Sequence, residues 1–388
     1  MPRRRFKTRK KYIDLLPLTI AEVAMLTKYD EFLCHQIPET FDCVDTSARE
    51  WTERIWFSAH DLNGKAQLIA GFGVYPNRNV MDAFALFVVD GKTQYCVRGS
   101  RELRPAIDEV RVGPFSYEIV KPMETVRFSL GENPHRLTFQ LDLRGTLAPH
   151  EEDHQFNRTR GRVLEHIKRY VQAGRVSGWV EADGVRFEAN ESTWYGERDH
   201  SWGIRRGGGV PETGVQPGEI PAGYLHNFVV AQFDGWGISY HLREDADARV
   251  LAFSGAAMYP QGSDRRERRA IRLEHNLRFE PEIRHISGGT VALHLEDGEA
   301  IECSITPQSA CYLKAGGYFG FRGFTHGLWL GPSFLDGHVL DLTDPEIIRE
   351  VAFLEDIACE FRCGGEIGYG IFELVLIGRY PKYGYLSY

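Results

Sequence analysis

No run of apolar residues in this chain approaches the roughly 20 that a membrane-spanning helix needs, so no helical membrane segment is expected. The basic excess that would neutralise nucleic-acid phosphates is missing too. There are 46 Lys and Arg against 54 Asp and Glu, a net charge of -8, and nucleic acid is not an expected partner. Cysteine is sparse and odd in number, seven residues scattered from Cys34 to Cys363, which suits free thiols in a reducing compartment better than a disulfide framework. Several chemistries that leave local signatures leave none here. There is no Gly-rich phosphate loop with Lys, no dinucleotide fingerprint, no His-Glu-x-x-His, no Gly-x-Ser-x-Gly and no Cys-x-x-Cys. His150 and His154 flank acids in a polar loop that solvation explains, and neither a metal nor a cofactor is expected.

The N-terminus, from Arg3 to Lys11, is strongly basic, but Asp14, Pro17 and Glu22 interrupt the apolar residues behind it. A secretory segment would be uninterrupted and would end in a small-residue cleavage site. A cytoplasmic setting is expected, with the basic arm solvated or touching a membrane surface. Nothing in the sequence sets an oligomeric state. Apolar residues from Leu15 to Leu26 recur at helical spacing and predict one short helix.

Beyond that helix, short runs of β-branched and aromatic residues are broken by Gly, Asn and Asp, as at 67–75, 83–89, 125–130 and 136–143 and on through 370–379. They read as strands and turns. Length favours two domains, and the strand spacing favours barrels or sandwiches, with the 40 glycines serving tightly curved strands. The expected fold is all-β, two consecutive barrel or sandwich domains with few other helices. Those helices are predicted at 157–170 and at 344–353, the second with Asp344 as cap and Pro345 in the first turn. The polar stretch 148–160 suggests a linker. The reading is an arm and helix over 1–40, one β domain over 41–155 and a second over 156–388.

Chemistry is densest in Trp194-Tyr-Gly-Glu-Arg-Asp-His-Ser-Trp-Gly-Ile-Arg205. In a strand, Arg198, His200 and Trp202 would share one face while Glu197, Asp199 and Ser201 share the other. If the first face lines an interior, an imidazole and an indole sit together there, with Asp199 orienting a neighbour or pairing with Arg198 or Arg205. An ion pair closing a turn at Gly203, with Trp202 as ordinary core, accounts for the same residues. Tyr75, Asn77 and Arg78 form a second candidate group, a turn able to reach a pocket mouth or simply to link two strands.

The segment Asp199-His-Ser-Trp-Gly203, with Tyr170-Val-Gln-Ala-Gly174 and Gly178 before it, resembles the hydroxyneurosporene synthase (carotenoid 1,2-hydratase) superfamily and its lipocalin-like relatives. The fungal Diels-Alderases of polyketide pathways belong to the same broad group. Trp51-Thr-Glu-Arg54 and Gly71-Phe-Gly-Val-Tyr-Pro-Asn-Arg78 look like the relatives' N-terminal domain. The resemblance implies two lipocalin-like units and a hydrophobic ligand, with acid-catalysed chemistry on an isoprenoid chain. It also implies a His-x-Trp pair followed by Tyr-x-Asp. This chain supplies His200-x-Trp202 and then Tyr224-Leu-His226, a histidine in place of the final acid. A histidine is a weak acid toward an alkene, so the implied pocket outlasts the implied hydration.

The leading expectation is a cofactor-independent hydratase, cyclase or isomerase acting on an isoprenoid, steroid or polyketide-like molecule. Asp199, His200, Tyr224 and His226 would be its acid–base groups, and Trp194, Arg198, Trp202, Tyr75, Asn77 and Arg78 its ligand contacts. A lipid carrier without catalysis, and a carbohydrate-active β protein, remain open beside it. The last would need a second carboxylate across a groove.

Overall fold

The computed structural model describes residues 26–205, 222–280, 283–352 and 354–387. The basic arm and all of the expected N-terminal helix except Leu26 lie outside them. The chain divides into two compact units, 1–45 and 46–388. In the first, the described residues hold a single 3-10 turn, Lys28–Glu31, capped by Thr27 and Asp30.

The second unit is all-β. Its first sheet takes β1 (Trp51–Asp61), β2 (Ala66–Tyr75), β3 (Val80–Val89), β4 (Thr93–Glu102), β5 (Arg111–Val112), β6 (Phe115–Lys121), β7 (Thr125–Leu130), β8 (Leu137–Gly145), β9 (His150–Glu151), β10 (Gln155–Thr159), β11 (Arg162–Ala182), β12 (Val185–Ala189) and β13 (Trp194–Ile204). After it come β14 (Gly223–Gln232), β15 (Gly237–Asp245), β16 (Val250–Met258), β17 (Arg268–Phe279), β18 (Ile286–Leu295), β19 (Ala300–Tyr312), β20 (Ser333–Asp341), helix α1 (Pro345–Val351), β21 (Glu355–Cys363) and β22 (Glu366–Gly378). Strands β14 to β19 with β21 and β22 close an eight-stranded barrel. β20 leaves the barrel sequence to pair with β4 at the edge of the first sheet, which curls into a half-barrel. No helix among the described residues is long and apolar enough to cross a membrane.

Strands β1 to β3 are buried along nearly their whole length because both their faces are covered. One face fills the curl of the first sheet with Phe57, Leu68, Phe72 and Phe87, packed on Phe128 of β7. The other, carrying Trp56, Ile69, Phe84 and Leu86, packs on Phe228, Val230, Ile371 and Val375 from the outside of the barrel. The barrel has its own interior of Leu225, Tyr240, Leu273, Phe361 and Phe372. The layer between sheet and barrel is therefore a third core, and it holds the site.

Helix α1 forms as its cap predicts, Asp344 accepting from Glu346 N with Pro345 in the first turn. The helix expected at 157–170 is instead the hairpin of β10 and β11. Val163, Ile167 and Tyr170 fall at helical spacing, but Arg160 and Gly161 both take positive φ, the geometry of a two-residue hairpin turn. The strand they start pairs with β13 over ten residues, and that pairing overrides the local pattern. The same strands put the expected boundary near residue 155 inside the first sheet. Sheet gives way to barrel between Ile204 and Gly223.

Glycine is required where strands press together. At Gly178 (φ 125°) an added Cβ would stand 2.1 Å from Gln140 O, and at Gly203 (φ 127°) 1.9 Å from His166 O, far inside contact distance.

Candidate active site

Three adjacent strands, β1, β13 and β11, set side chains in rows. Trp56, Asp199 and Val171 make one row, and Arg54, Ser201 and Arg169 the next. All face the barrel, because residues directly opposite in a sheet share a face. From the barrel side β14 presents Tyr224, His226 and Phe228, β15 presents His241, and the cross-strand pair Asp356 and Glu373 comes from β21 and β22.

Asp356 is fully buried. Trp56 Nε1–H donates to its Oδ2 at 2.9 Å, while its Oδ1 receives no N–H or O–H. Its carboxyl stands on the strand next to Glu373, its direct cross-strand partner, so the two acids share one buried face. Burial, and then the negative charge of Glu373, push Asp356 well above the carboxylate range. Glu373 goes the other way: burial opposes its ionisation, but His226 and Arg169 outweigh burial and hold it below its usual value. Asp356 is thus the acid of the pair and Glu373 the anion.

From Glu373 the contacts continue. His226 Nε2–H donates to Glu373 Oε1 at 2.5 Å, and the His226 and His241 rings meet at 3.2 Å between nitrogens. Burial lowers His241 to about 3 against the pull of Glu152, so it is neutral at physiological pH. Arg169 stands 3.3 Å from Glu152 and 3.5 Å from Asp199. Burial raises Asp199 despite Arg169 and Arg205. Aromatic surface encloses these groups. Trp56 meets Phe228 edge-on at 6.1 Å, the Arg169 guanidinium lies 5.3 Å from the Phe228 ring, and Arg54 lies 4.8 Å from Tyr318.

Asp199, Tyr224 and His226 of the expected residues meet in this layer. Tyr75 joins them at its far end, its hydroxyl donating to Asp82 at 3.2 Å. Gly73 makes that possible, since a Cβ there would strike the Tyr75 hydroxyl at 2.3 Å. Arg78 stacks over Tyr75 at 4.4 Å and donates to Gly327 O. Asn77 instead pins a loop, donating to Thr46 O and Ala48 O at 2.7 and 2.9 Å.

The alternation along β13 is as expected, with the other face turned into the curl of the first sheet. Arg198 donates there to Gln172 Oε1 at 2.7 and 3.0 Å and to the Tyr170 hydroxyl at 3.3 Å. Trp194 lies in the core of that curl. His200 sits at its rim, 2.8 Å from Glu53, beside Trp202, which is 39 % exposed. His200 and Trp202 are therefore on the opposite face of the strand from Asp199 and His226. Among the described residues no group of three or more His, Cys, Asp or Glu gathers as metal ligands would.

The residues that sequence reasoning missed are Asp356, Glu373, Arg54, Arg169, Glu152 and His241. A signal was present: Glu373 interrupts Ile371-Phe-Glu-Leu-Val-Leu-Ile377, and a lone acid in a strand covered on both faces is costly unless paired.

Residues 26–386 match a family of unknown function (DUF8625). The chain belongs to that family. None of the curated proteins matches it. Among solved structures it is similar to an AttH-type protein from Nitrosomonas europaea, at 14 % identity and a TM-score of 0.51 over 84 % of this chain and 92 % of that one. It is also similar to CghA, solved with Sch210972, at 12 % and 0.50 over 85 % and 89 %. Kievitone hydratase from Nectria haematococca follows at 12 % and 0.42 over 84 % and 89 %. At these identities the likeness to the first two is one of fold, two successive lipocalin-like β units.

Proposed function

We propose that this member of the family is a cofactor-independent enzyme of hydratase, cyclase or isomerase type. It acts on a hydrophobic small molecule by acid–base chemistry in the layer between sheet and barrel. The observation that carries the reading is the buried cross-strand pair Asp356 and Glu373, an acid pushed toward its neutral form beside a carboxylate held anionic, with Trp56 and Phe228 packed against it. A buried carboxyl kept protonated at neutral pH has a proton to give, as general acid catalysis requires.

Asp356 transfers its proton to one carbon of a double bond or to a carbonyl oxygen, leaving a carboxylate. The positive charge left on the substrate is stabilised by the faces of Trp56, Phe228 and Tyr318 and by the nearby carboxylates. The intermediate resolves when a water adds and passes its proton to Asp356, when a ring closes and the new cation loses a proton to Asp356, or when a neighbouring carbon returns a proton to Asp356. The acid is restored in each case. His226 holds Glu373 through its 2.5 Å hydrogen bond and so fixes which carboxyl is anionic. This accounts for the histidine that ends Tyr224-Leu-His226: the acid stands on the adjoining strand, at Glu373 opposite Phe228. Asp199 and Arg169 position the charge beside the pair, and Tyr224 lines the same face. The fold shared with CghA is an analogy only.

Native mass spectrometry of protein from its source cells, with extraction of any retained small molecule, tests this. Wild type is expected to hold one compound and Asp356→Asn a different, unconverted precursor. The same molecule in both would make the protein a carrier, and an empty layer in both would remove the small-molecule reading.

A further inference from the structure

Among the charges facing the barrel, positive ones gather around one hydroxyl. Ser201 lies between Arg54 and Arg169, its direct neighbours on β1 and β11, and strands about 4.8 Å apart keep both stems close. Arg205, just past the end of β13, folds back so that its Nη2 donates to Ser201 Oγ at 2.8 Å. Three guanidinium groups thus converge on Ser201.

Their counter-charges are unevenly shared. Arg169 has Asp199 and Glu152. Arg54 contacts the His326 ring nitrogen at 3.1 Å and the Tyr318 ring. His326 gives it no negative charge, since burial and Arg54 itself lower that imidazole to about 4. Arg205 has the Ser201 hydroxyl. Among the described residues neither Arg54 nor Arg205 has a carboxylate within 4 Å; the charges of Asp82 and Asp199 reach Arg54, and that of Asp199 reaches Arg205, only from farther off. Burial and then the repulsion of Arg169 and Arg54 bring Arg205 down to about 10. A buried cation with no anion in direct contact is costly, and the planar fork of a guanidinium matches a pair of oxygens that share a negative charge. Arg205 itself is only partly buried.

We infer that the molecule held in this layer is an apolar compound bearing one oxyanion, of carboxylate or enolate kind, which docks on Arg205 and Arg54 over Ser201. The inference rests on the acid–base reading above and names its substrate class. The apolar body would lie against Tyr318, Phe228 and Trp56, toward Asp356, and the anionic head would fix which carbon meets the acid.

Displacement of the neutral dye N-phenyl-1-naphthylamine from the full chain tests it, with dodecanoate and dodecan-1-ol as competitors of equal length at neutral pH. Wild type is expected to prefer dodecanoate by about tenfold or more, the range of a charge-assisted hydrogen bond. Arg205→Gln should lose about tenfold toward dodecanoate and nothing toward the alcohol, and Arg205→Lys should recover part of it. Circular dichroism melts of each variant establish that the fold is kept. If the dye is taken up but both competitors displace it equally, or Arg205→Gln weakens both alike, the oxyanion inference falls and the apolar site stands. If Phe228→Ala and wild type alike take up no dye, the apolar site itself falls and this inference falls with it.

Discussion

Two clusters of buried charge in this protein have similar composition and opposite character. At one end of the barrel, Glu244 accepts from the Tyr380 hydroxyl and stands 3.0 Å from His275 Nε2, while His275 Nδ1 meets the Tyr383 hydroxyl at 2.5 Å. Every buried polar side-chain atom of these four residues has a partner, whereas between sheet and barrel Asp356 Oδ1, Glu152 Oε1, Arg169 Nε and His326 Nδ1 make no aligned hydrogen bond. A satisfied network holds a structure together, and a group left short of partners in a native fold calls for another explanation. The barrel-end cluster ties the C-terminal turn into the barrel. The other cluster is where chemistry is proposed.

The comparison breaks first on stability. Glu244→Leu strands His275 and Tyr380 without their acceptor and should cost about 3–5 kcal/mol, the range for removing one partner of a buried charged pair. Asp356→Asn replaces a neutral acid by a neutral amide of the same shape that still accepts from Trp56, and should cost less than about 1.5 kcal/mol. Denaturant midpoints of the two variants measure the difference. A larger loss in Asp356→Asn than in Glu244→Leu would make the inter-layer pair the structural one.

The pH dependences have opposite signs. Glu244 is held below its usual value, its hydrogen bonds to His275 and Tyr380 outweighing burial. Its contribution is present above the unfolded glutamate value and disappears as pH falls through the lowered folded one. Asp356 is raised, so above the unfolded aspartate value near 4 the unfolded chain binds fewer protons than the folded one. Wild type should then lose stability relative to Asp356→Asn as pH climbs toward the folded value, by up to about 1.4 kcal/mol per pH unit. Urea melts at a series of pH values read this directly. A flat difference between wild type and Asp356→Asn would mean that Asp356 is ionised in the fold. Trp56→Phe removes the indole donor and leaves Asp356 Oδ2 unsatisfied, at a cost of about 1–2 kcal/mol. The infrared carbonyl band of the protonated carboxyl should shift with it and vanish in Asp356→Asn.

The architecture was legible because its signals are local. The run 125–130 is strand β7 residue for residue, and Asp344-Pro345 opens α1. The site was half legible. The density of chemistry from Trp194 to Arg205 marks a strand that borders the proposed site, and its alternation separates Asp199 from His200. Which face meets the barrel depends on how β13 is flanked by β1 and β11, and both faces of that strand are largely buried, so hydrophobicity could not choose between them. Asp356 and Glu373 lie 157 and 174 residues beyond Asp199 in sequence; Glu373 meets His226 only when the barrel closes, and Asp356 meets Trp56 only when the barrel packs against the sheet.

The smallest expected effect separates those two faces. His200 Nε2 lies 2.8 Å from Glu53 Oε1 at the rim of the first sheet, with side chains 28 % and 43 % exposed. Such pairs contribute about 0–1 kcal/mol because water and salt screen them. His200→Ala should therefore shift stability by less than about 1 kcal/mol, and the loss should shrink as salt is added. It should leave dye uptake and the identity of any retained compound unchanged, because the imidazole faces away from Asp356 and Arg205. His226→Ala frees Glu373 of its 2.5 Å hydrogen bond and should change the retained compound as Asp356→Asn does. If His200→Ala changes it and His226→Ala does not, the chemistry belongs to the curl of the first sheet, and the buried acids between sheet and barrel are structural after all.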